Sequence, residues 1–212
     1  MKIITLLAQK GGTGKTTLSI HLAVIAAAAS KKTVIADIDP QQSAMFWRKR
    51  RQLEDPQVIG MTASNLNQTI FDLKNKNTDL LVIDTAPHSE SDSIIAANAA
   101  DIILIPSRPA ILDLEAIGAS VNIVKKAETK GVIVLNGCPF PGWFGETAIV
   151  TEARDALTVY GLPVAPVSLA NRVAFSHSLI DGRAVTEFDQ KGKAASEMEG
   201  LYRWINEEYM LW

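Results

Sequence analysis

Lys10-Gly11-Gly12-Thr13-Gly14-Lys15-Thr16-Thr17 follows the apolar stretch Ile3-Ile4-Thr5-Leu6-Leu7-Ala8 and precedes a helical stretch that begins at Leu18. Strand, glycine loop, Lys-Thr and helix in that order are the layout of a phosphate-binding loop. Glycines let successive backbone N–H groups turn inward around an anion. The helix that follows directs its positive dipole end at the same point. In this reading Gly11, Gly12, Thr13, Gly14, Lys15, Thr16 and Thr17 bind a nucleotide. Lys15 neutralises the β- and γ-phosphates, and the Thr16 hydroxyl holds Mg²⁺.

The departure from the usual pattern carries further information. G-x-x-x-x-G-K-[ST] requires glycine at position 9, where this chain has Gln9, followed by a second lysine, Lys10. A lysine there is badly placed for its own phosphates. It is placed to reach a partner's nucleotide across a dimer interface, as an arginine finger does in trans.

Size and composition bound the rest. The 212 residues suit one α/β domain, expected here to span 1–212. A hydrophobic fraction of 47% and a charged fraction of 21% are ordinary for a soluble globular chain. The net charge of −2 gives no global basic field, so contact with DNA would need a local patch. The lone Cys138 excludes a disulfide framework and a C-x-x-C metal site. It agrees with a reducing cytoplasm. A strand at the very start leaves no room for a signal peptide, and the apolar run 22–29 is too short to span a bilayer.

Apolar β-rich runs alternate with helical patterns along the chain. Strands are expected at 3–8, 33–37, 80–84, 102–106, 132–136 and 164–167, with a weaker one at 58–62. Several are continuously apolar, as strands buried on both faces of a parallel sheet are. Helices are expected at 18–29, 42–53, 66–74, 91–99, 113–126 and 147–160. The alternation predicts a doubly wound, mostly parallel sheet of about seven strands flanked by helices, with ligands beyond the carboxyl ends of the strands. Helices at 171–180 and 192–208 then break the alternation. In the second, Leu201, Trp204 and Ile205 have i, i+3, i+4 spacing and should pack on the domain. The apolar tail Tyr209-Met210-Leu211-Trp212 reads as terminal packing or fraying. The glutamates around Arg203 argue against a membrane anchor, which wants a basic polar face.

Three strand-end motifs should converge on the loop. In Asp37-Ile38-Asp39-Pro40-Gln41, two aspartates two residues apart share one side of an extended strand. Beside a Mg-nucleotide, one can order the attacking water while the other supports the metal's hydration. The same residues also read as a turn cap before a helix. Leu80-Leu81-Val82-Ile83-Asp84 has the Walker B layout, with Asp84 beside Thr16 as a metal residue. Ile105-Pro106-Ser107-Arg108-Pro109 is a stiff connection or part of a nucleotide-dependent interface. Asn136 and Pro166, near the ends of later strands, are candidates for the base edge and base face. The basic run Arg48-Lys49-Arg50-Arg51 reads either as a phosphate or partner contact or as the solvated face of a helix that buries Phe46 and Trp47.

The loop, Asp37-Ile38-Asp39-Pro40-Gln41 and Ile83-Asp84-Thr85-Ala86-Pro87 resemble the deviant-Walker ATPases of the ParA/MinD superfamily. Asp-x-Asp-Pro-Gln leans towards the ParA partition ATPases. The segment Gly182-Arg183-Ala184-Val185-Thr186-Glu187 is similar to the family's G-x-x-V-x-E region, and the length resembles the small subgroup that includes ParF. The resemblance covers nearly the whole chain. It implies slow, partner-stimulated hydrolysis of ATP with Mg²⁺, and an ATP-dependent homodimer in which Lys10, with Lys15 and Asp39, is catalytic. Asp39 would position the hydrolytic water. It also implies non-specific DNA binding, a ParB-like centromere-binding partner, partition of a plasmid or chromosome, and a cytoplasmic, nucleoid-associated protein with no membrane partner. Arg172, Arg183, Lys191 and Lys193 are the candidate DNA contacts, since the family builds that surface late in the chain. A MinD-like membrane ATPase, a reductase or metabolic relative, and ParA-like positioning of a non-DNA cargo are the competing readings.

Overall fold

The computed structural model describes residues 1–143 and 145–209. Met210, Leu211 and Trp212 of the expected terminal segment lie outside the described residues. Seven strands form one sheet: β1 (Lys2–Leu6), β2 (Thr33–Asp37), β3 (Gln57–Gly60), β4 (Leu80–Asp84), β5 (Ile102–Ser107), β6 (Lys130–Cys138) and β7 (Leu169–Ala170). Their order is β3-β2-β4-β1-β5-β6-β7, and every pairing is parallel. β2, β4 and β5 are buried along their whole length, which is why they read as unbroken apolar runs.

Nine helices connect and cover the strands among the described residues. They are α1 (Lys15–Ala28), α2 (Ser43–Arg50), α3 (Leu66–Asn75), α4 (Glu90–Ala99), α5 (Ile111–Lys126), α6 (Ala148–Leu157), α7 (Val173–Ser178), α8 (Val185–Phe188) and α9 (Lys193–Tyr209). Strand alternation divides the core. Ile4 and Leu6 face a cluster that includes Leu18 and Leu22 of α1, Trp47 of α2, Val185 of α8, and Met198 and Leu201 of α9. Ile3 and Leu7 face the other side, where α3, α4, α5 and α6 pack. α1 is buried nearly all round, from Lys15 to Ala26, so the helix that starts at the loop is fixed on every side.

Three expectations shift. The strand expected at 164–167 is only an isolated bridge, Val164 to Ile133, and the true β7 follows at Leu169–Ala170. α2 buries Trp47 but leaves Phe46 about half exposed, under Lys49, whose ammonium lies 5.1 Å from the ring centre. Arg51, expected on a solvated face, is buried. It donates to both carboxylate oxygens of Glu187 at 2.7 and 2.8 Å and stacks on Trp47. The apolar stripe of α9 is used as expected: Leu201 and Ile205 are buried and Trp204 packs against them. No helix among the described residues is long and apolar enough to cross a membrane.

Candidate nucleotide site

Parallel register brings the strand-end carboxylates together. Asp84 pairs with Leu6 on one side and with Asp37 on the other, so both aspartates end their strands beside the loop that leaves β1. That loop begins with anchored backbone. The Gln9 N–H donates to Ser120 Oγ of α5 at 3.0 Å, and the Gln9 side-chain amide donates to Ser93 Oγ of α4 at 2.9 Å. The backbone of this residue thus ties the loop to α5, and the glutamine side chain, where glycine is usual, adds a tie to α4. Gly12 and Gly14 have φ of 72° and 101°, the left-handed region that glycine enters without strain. A Cβ on Gly14 would also meet Asn136 Nδ2, so a side chain there would displace Asn136 as well as strain the backbone.

The two lysines part company here. Lys15, buried, donates from Nζ to the Ala8 carbonyl at 3.0 Å and to the Lys10 carbonyl at 3.3 Å, which holds its ammonium inside the loop. Burial lowers its pKa, and the nearby Asp84 and Asp39 charges raise it again. Lys10 points the other way, to an ion pair with Asp113 Oδ2 of α5 at 2.9 Å. Nothing in the sequence marked Asp113 beyond its place in the first turn of a helix.

Asp84 is fully buried. Desolvation pushes its carboxyl up to about 7. The Thr16 and Ser19 hydroxyls and the Lys15 ammonium lower it, and the neighbouring Asp37 adds to the rise. Ser19 Oγ donates to Asp84 Oδ1 at 3.2 Å, while Oδ2 is buried with no hydrogen-bond partner. An orphaned carboxylate oxygen is costly unless a cation or water completes it. Thr16 and Asp84 therefore fit the support of a hydrated Mg²⁺. Among the described residues no group of three or more His, Cys, Asp or Glu side chains could hold a metal ion. Ser19, one turn after Thr16, is a site residue the sequence reading missed. The i, i+3 spacing was the available signal.

The two aspartates of Asp-x-Asp-Pro-Gln have different work. Asp37 is buried, and its Oδ2 accepts from the Ala44 and Met45 N–H groups at 3.0 and 3.1 Å, capping α2. Burial raises its pKa and those amides pull it back. Asp39 sits one turn outward. It takes the Gln41 N–H at 2.8 Å and lines a cavity of about 300 Å³ with Gly11, Lys15, Thr16, Thr17 and Pro87. β2 ends at Asp37, so Asp39 belongs to the turn that follows, and its N–H donates to Asp37 Oδ1 at 3.2 Å.

Beyond the loop, a cavity of about 640 Å³ is bounded by Gly12, Gly14, Thr17, Arg108, Asn136, Asn171, Arg172 and Phe175. Its size and place, next to the phosphate cradle, suit a nucleoside. Asn136 lines it as expected, with its Nδ2 bonded to the Thr13 carbonyl at 2.7 Å. Pro166 does not line it. Its carbonyl accepts from Arg154 at 3.0 Å, and the later start of β7 brings Ala170 to Val173 to the cavity instead. Arg172 is likewise not on an open basic surface. It pairs with Glu197 of α9 at 2.6 Å, over the Phe140 ring. Arg183 is half-buried and paired with Asp181, and Lys191 and Lys193 are exposed.

A glycine cradle at the start of a buried helix, an inward lysine and a strand-end aspartate beside the first Thr define a P-loop nucleotide-binding protein. The CobQ/CobB/MinD/ParA nucleotide binding domain profile matches residues 4–136, and the chain belongs to that family of P-loop ATPases. It is 30% identical to the maintenance of carboxysome distribution protein A of Gloeobacter kilaueensis, over 98% of this chain and 93% of that one. In fold it is similar to an ATP complex of McdA from Cyanothece, with TM-score 0.75, 18% identity and coverage of 98% and 95%. It is also similar to the Mg-ADP complex of the septum site-determining protein MinD from Pyrococcus horikoshii, with TM-score 0.74, 18% identity and coverage of 98% and 96%.

Proposed function

We propose that this chain is a Mg-ATP-dependent positioning ATPase that dimerises on ATP and distributes a large cargo, with non-specific DNA as its track. The observation that carries the reading is the opposed direction of the two loop lysines: Lys15 serves the chain's own cradle, and Lys10 stands outside it on α5. A lysine so placed is available to a second copy's triphosphate. Bound Mg-ATP would supply the phosphoryl group and the metal charge that spreads over it. The chain's residues bind and orient. Gly11, Gly12, Thr13 and Gly14 present amides, Thr16 and Asp84 support the metal, and Asp39 holds a water in line.

The cargo assignment moves from DNA partition to a non-DNA body, because the relative matched over nearly its whole length distributes carboxysomes. A cargo-bound partner protein then takes the place of a centromere-binding one as the stimulator of hydrolysis. Membrane positioning has little support, since the apolar residues of α9 up to Ile205 are already buried on the core. The half-buried Arg183 and the exposed Lys191 and Lys193 are the proposed DNA contacts.

The test is size-exclusion chromatography with light scattering, and DNA binding, each in ATP, ADP and no nucleotide. Dimerisation and DNA binding in ATP alone, both lost in Lys10→Ala, are expected. Equal behaviour in all three states would overturn the switch.

A further inference from the structure

We infer that Arg108 is a positioning residue of the nucleotide site, aiming the Thr13 amide at the phosphates from outside the loop. The inference rests on the ATPase reading above and adds to it a residue that the loop motif does not contain.

Arg108 Nη2 donates to the Gly12 carbonyl at 2.6 Å, across 96 residues of sequence. Asn136 Nδ2 donates to the next carbonyl, Thr13, at 2.7 Å. In a trans peptide the C=O of one residue and the N–H of the next point in opposite directions. A bond that draws the Gly12 carbonyl outward therefore turns the Thr13 N–H inward, and the bond on Thr13 does the same for Gly14. Two consecutive amides at the apex of the cradle are set in this way by two side chains.

The sheet puts those side chains side by side. Ser107 of β5 pairs with Leu135 of β6, so the next residue on each strand is Arg108 and Asn136. Pro109 follows Arg108 and is buried, which holds the Arg108 backbone extended at the point of departure. Arginine has the length to reach Gly12 from there, and its planar guanidinium presents several N–H donors. Because the bond acts on loop geometry, it should matter equally to any ligand that places phosphate in the cradle. It should not matter to the hydrolytic step, and since Arg108 also borders the nucleoside cavity, any effect on the base should come on top of the loss shared by all nucleotides.

The experiment measures dissociation constants for ATP, ADP and GTP, and kcat, for wild type, Arg108→Ala and Arg108→Lys. It adds ¹⁵N spectra of the nucleotide-free proteins. Expected are a rise of about five- to tenfold in the constants for ATP and ADP alike in Arg108→Ala, kcat within about twofold of wild type, and partial recovery in Arg108→Lys, which keeps one donor. The Thr13 amide should shift or broaden in Arg108→Ala while that of Ala26, deep in α1, stays put. Unchanged affinities overturn the inference. A loss confined to ATP over ADP would mean a γ-phosphate or interface contact, and a loss confined to one base would mean a base contact alone; either overturns it. If wild type binds no nucleotide, the ATPase reading fails, and the Thr13 resonance still decides whether Arg108 orders the loop.

Discussion

Lys10 Nζ lies 2.9 Å from Asp113 Oδ2, so the second lysine of the loop is held by its own chain. The Lys10 side chain is 38% exposed and Asp113 only 11%, which makes the pair a rim contact with modest strength. If Lys10 serves a partner's nucleotide, it must leave Asp113 when two copies close. Asp113→Asn removes that competitor and leaves the cradle unaltered. The expected result is dimerisation at about two- to fivefold lower ATP, following the size of a partly exposed ion pair. Light scattering across an ATP titration measures it, and ATP binding to the monomer should not change. A higher ATP requirement in the variant would mean that Asp113 steadies Lys10 in its working position.

Asp39 and Asp37 predict different defects. Asp39 lines the cavity beside Lys15 and Thr16, with one oxygen committed to the Gln41 N–H. Asp39→Ala should retain ATP binding and lengthen the life of the ATP dimer, with hydrolysis falling by about a hundredfold or more. Asp37 supports the N-terminus of α2 through two amides. Asp37→Ala should show a stability loss of about 1–2 kcal/mol, as a lost helix cap does. Urea unfolding beside single-turnover hydrolysis separates the two.

The order of legibility follows from what each residue interacts with. The cradle, Asp84 and the parallel sheet were readable because they rest on local patterns: glycines before Lys-Thr, and apolar runs closed by a carboxylate. Asp113, Arg108 and Ser120 were not, because each acts on the loop from α5 or from the turn before it, about a hundred residues away. The two aspartates illustrate the boundary. Strand alternation put them on one side, but the strand ended at Asp37, and a helix terminus claimed the first of them. The placement of Pro166 failed for a related reason. Only Val164 bridges to β6 before the chain turns, and β7 is two residues long, too short to leave a periodic signal.

The Gly-x-x-Val-x-Glu segment is explained by the ion pair of a buried arginine with a half-buried glutamate rather than by chemistry at the nucleotide. Arg51 forks onto Glu187, donates to the Asp55 carbonyl at 2.7 Å and to Gly182 at 2.8 Å, and so joins α2 to α8. Gly182 has φ of 80°, and a Cβ there would come 2.4 Å from the Arg51 backbone. Glu187→Ala leaves the guanidinium without its carboxylate in a buried position, at an expected cost of about 3 kcal/mol. Gly182→Ala should cost at least as much, since both the backbone conformation and the space are denied. Denaturant midpoints check both. A Glu187→Ala protein as stable as wild type would show that the pair adds nothing net.

His21 sets the expected response to acid. Its ring is fully buried between α1 and the C-terminal helices, 5.4 Å from the Phe175 ring, with Nδ1 accepting from the Val185 N–H at 3.4 Å. Burial lowers its pKa from 6.5 to about 4, against smaller opposing pulls from the Phe175 carbonyl and the Glu187 charge. The folded state thus prefers the neutral ring, while the unfolded chain takes up a proton at ordinary pH. The associated stability is complete above about pH 6.5 and drains away as pH falls towards 4, the loss reaching about 2–3 kcal/mol by pH 4.5. His21→Gln keeps an acceptor for Val185 and cannot charge. Its unfolding free energy should fall less than that of wild type between pH 7 and pH 4.5, and other titrating groups cancel in the difference. Parallel curves for the two proteins across that interval would show that His21 does not govern the acid limb.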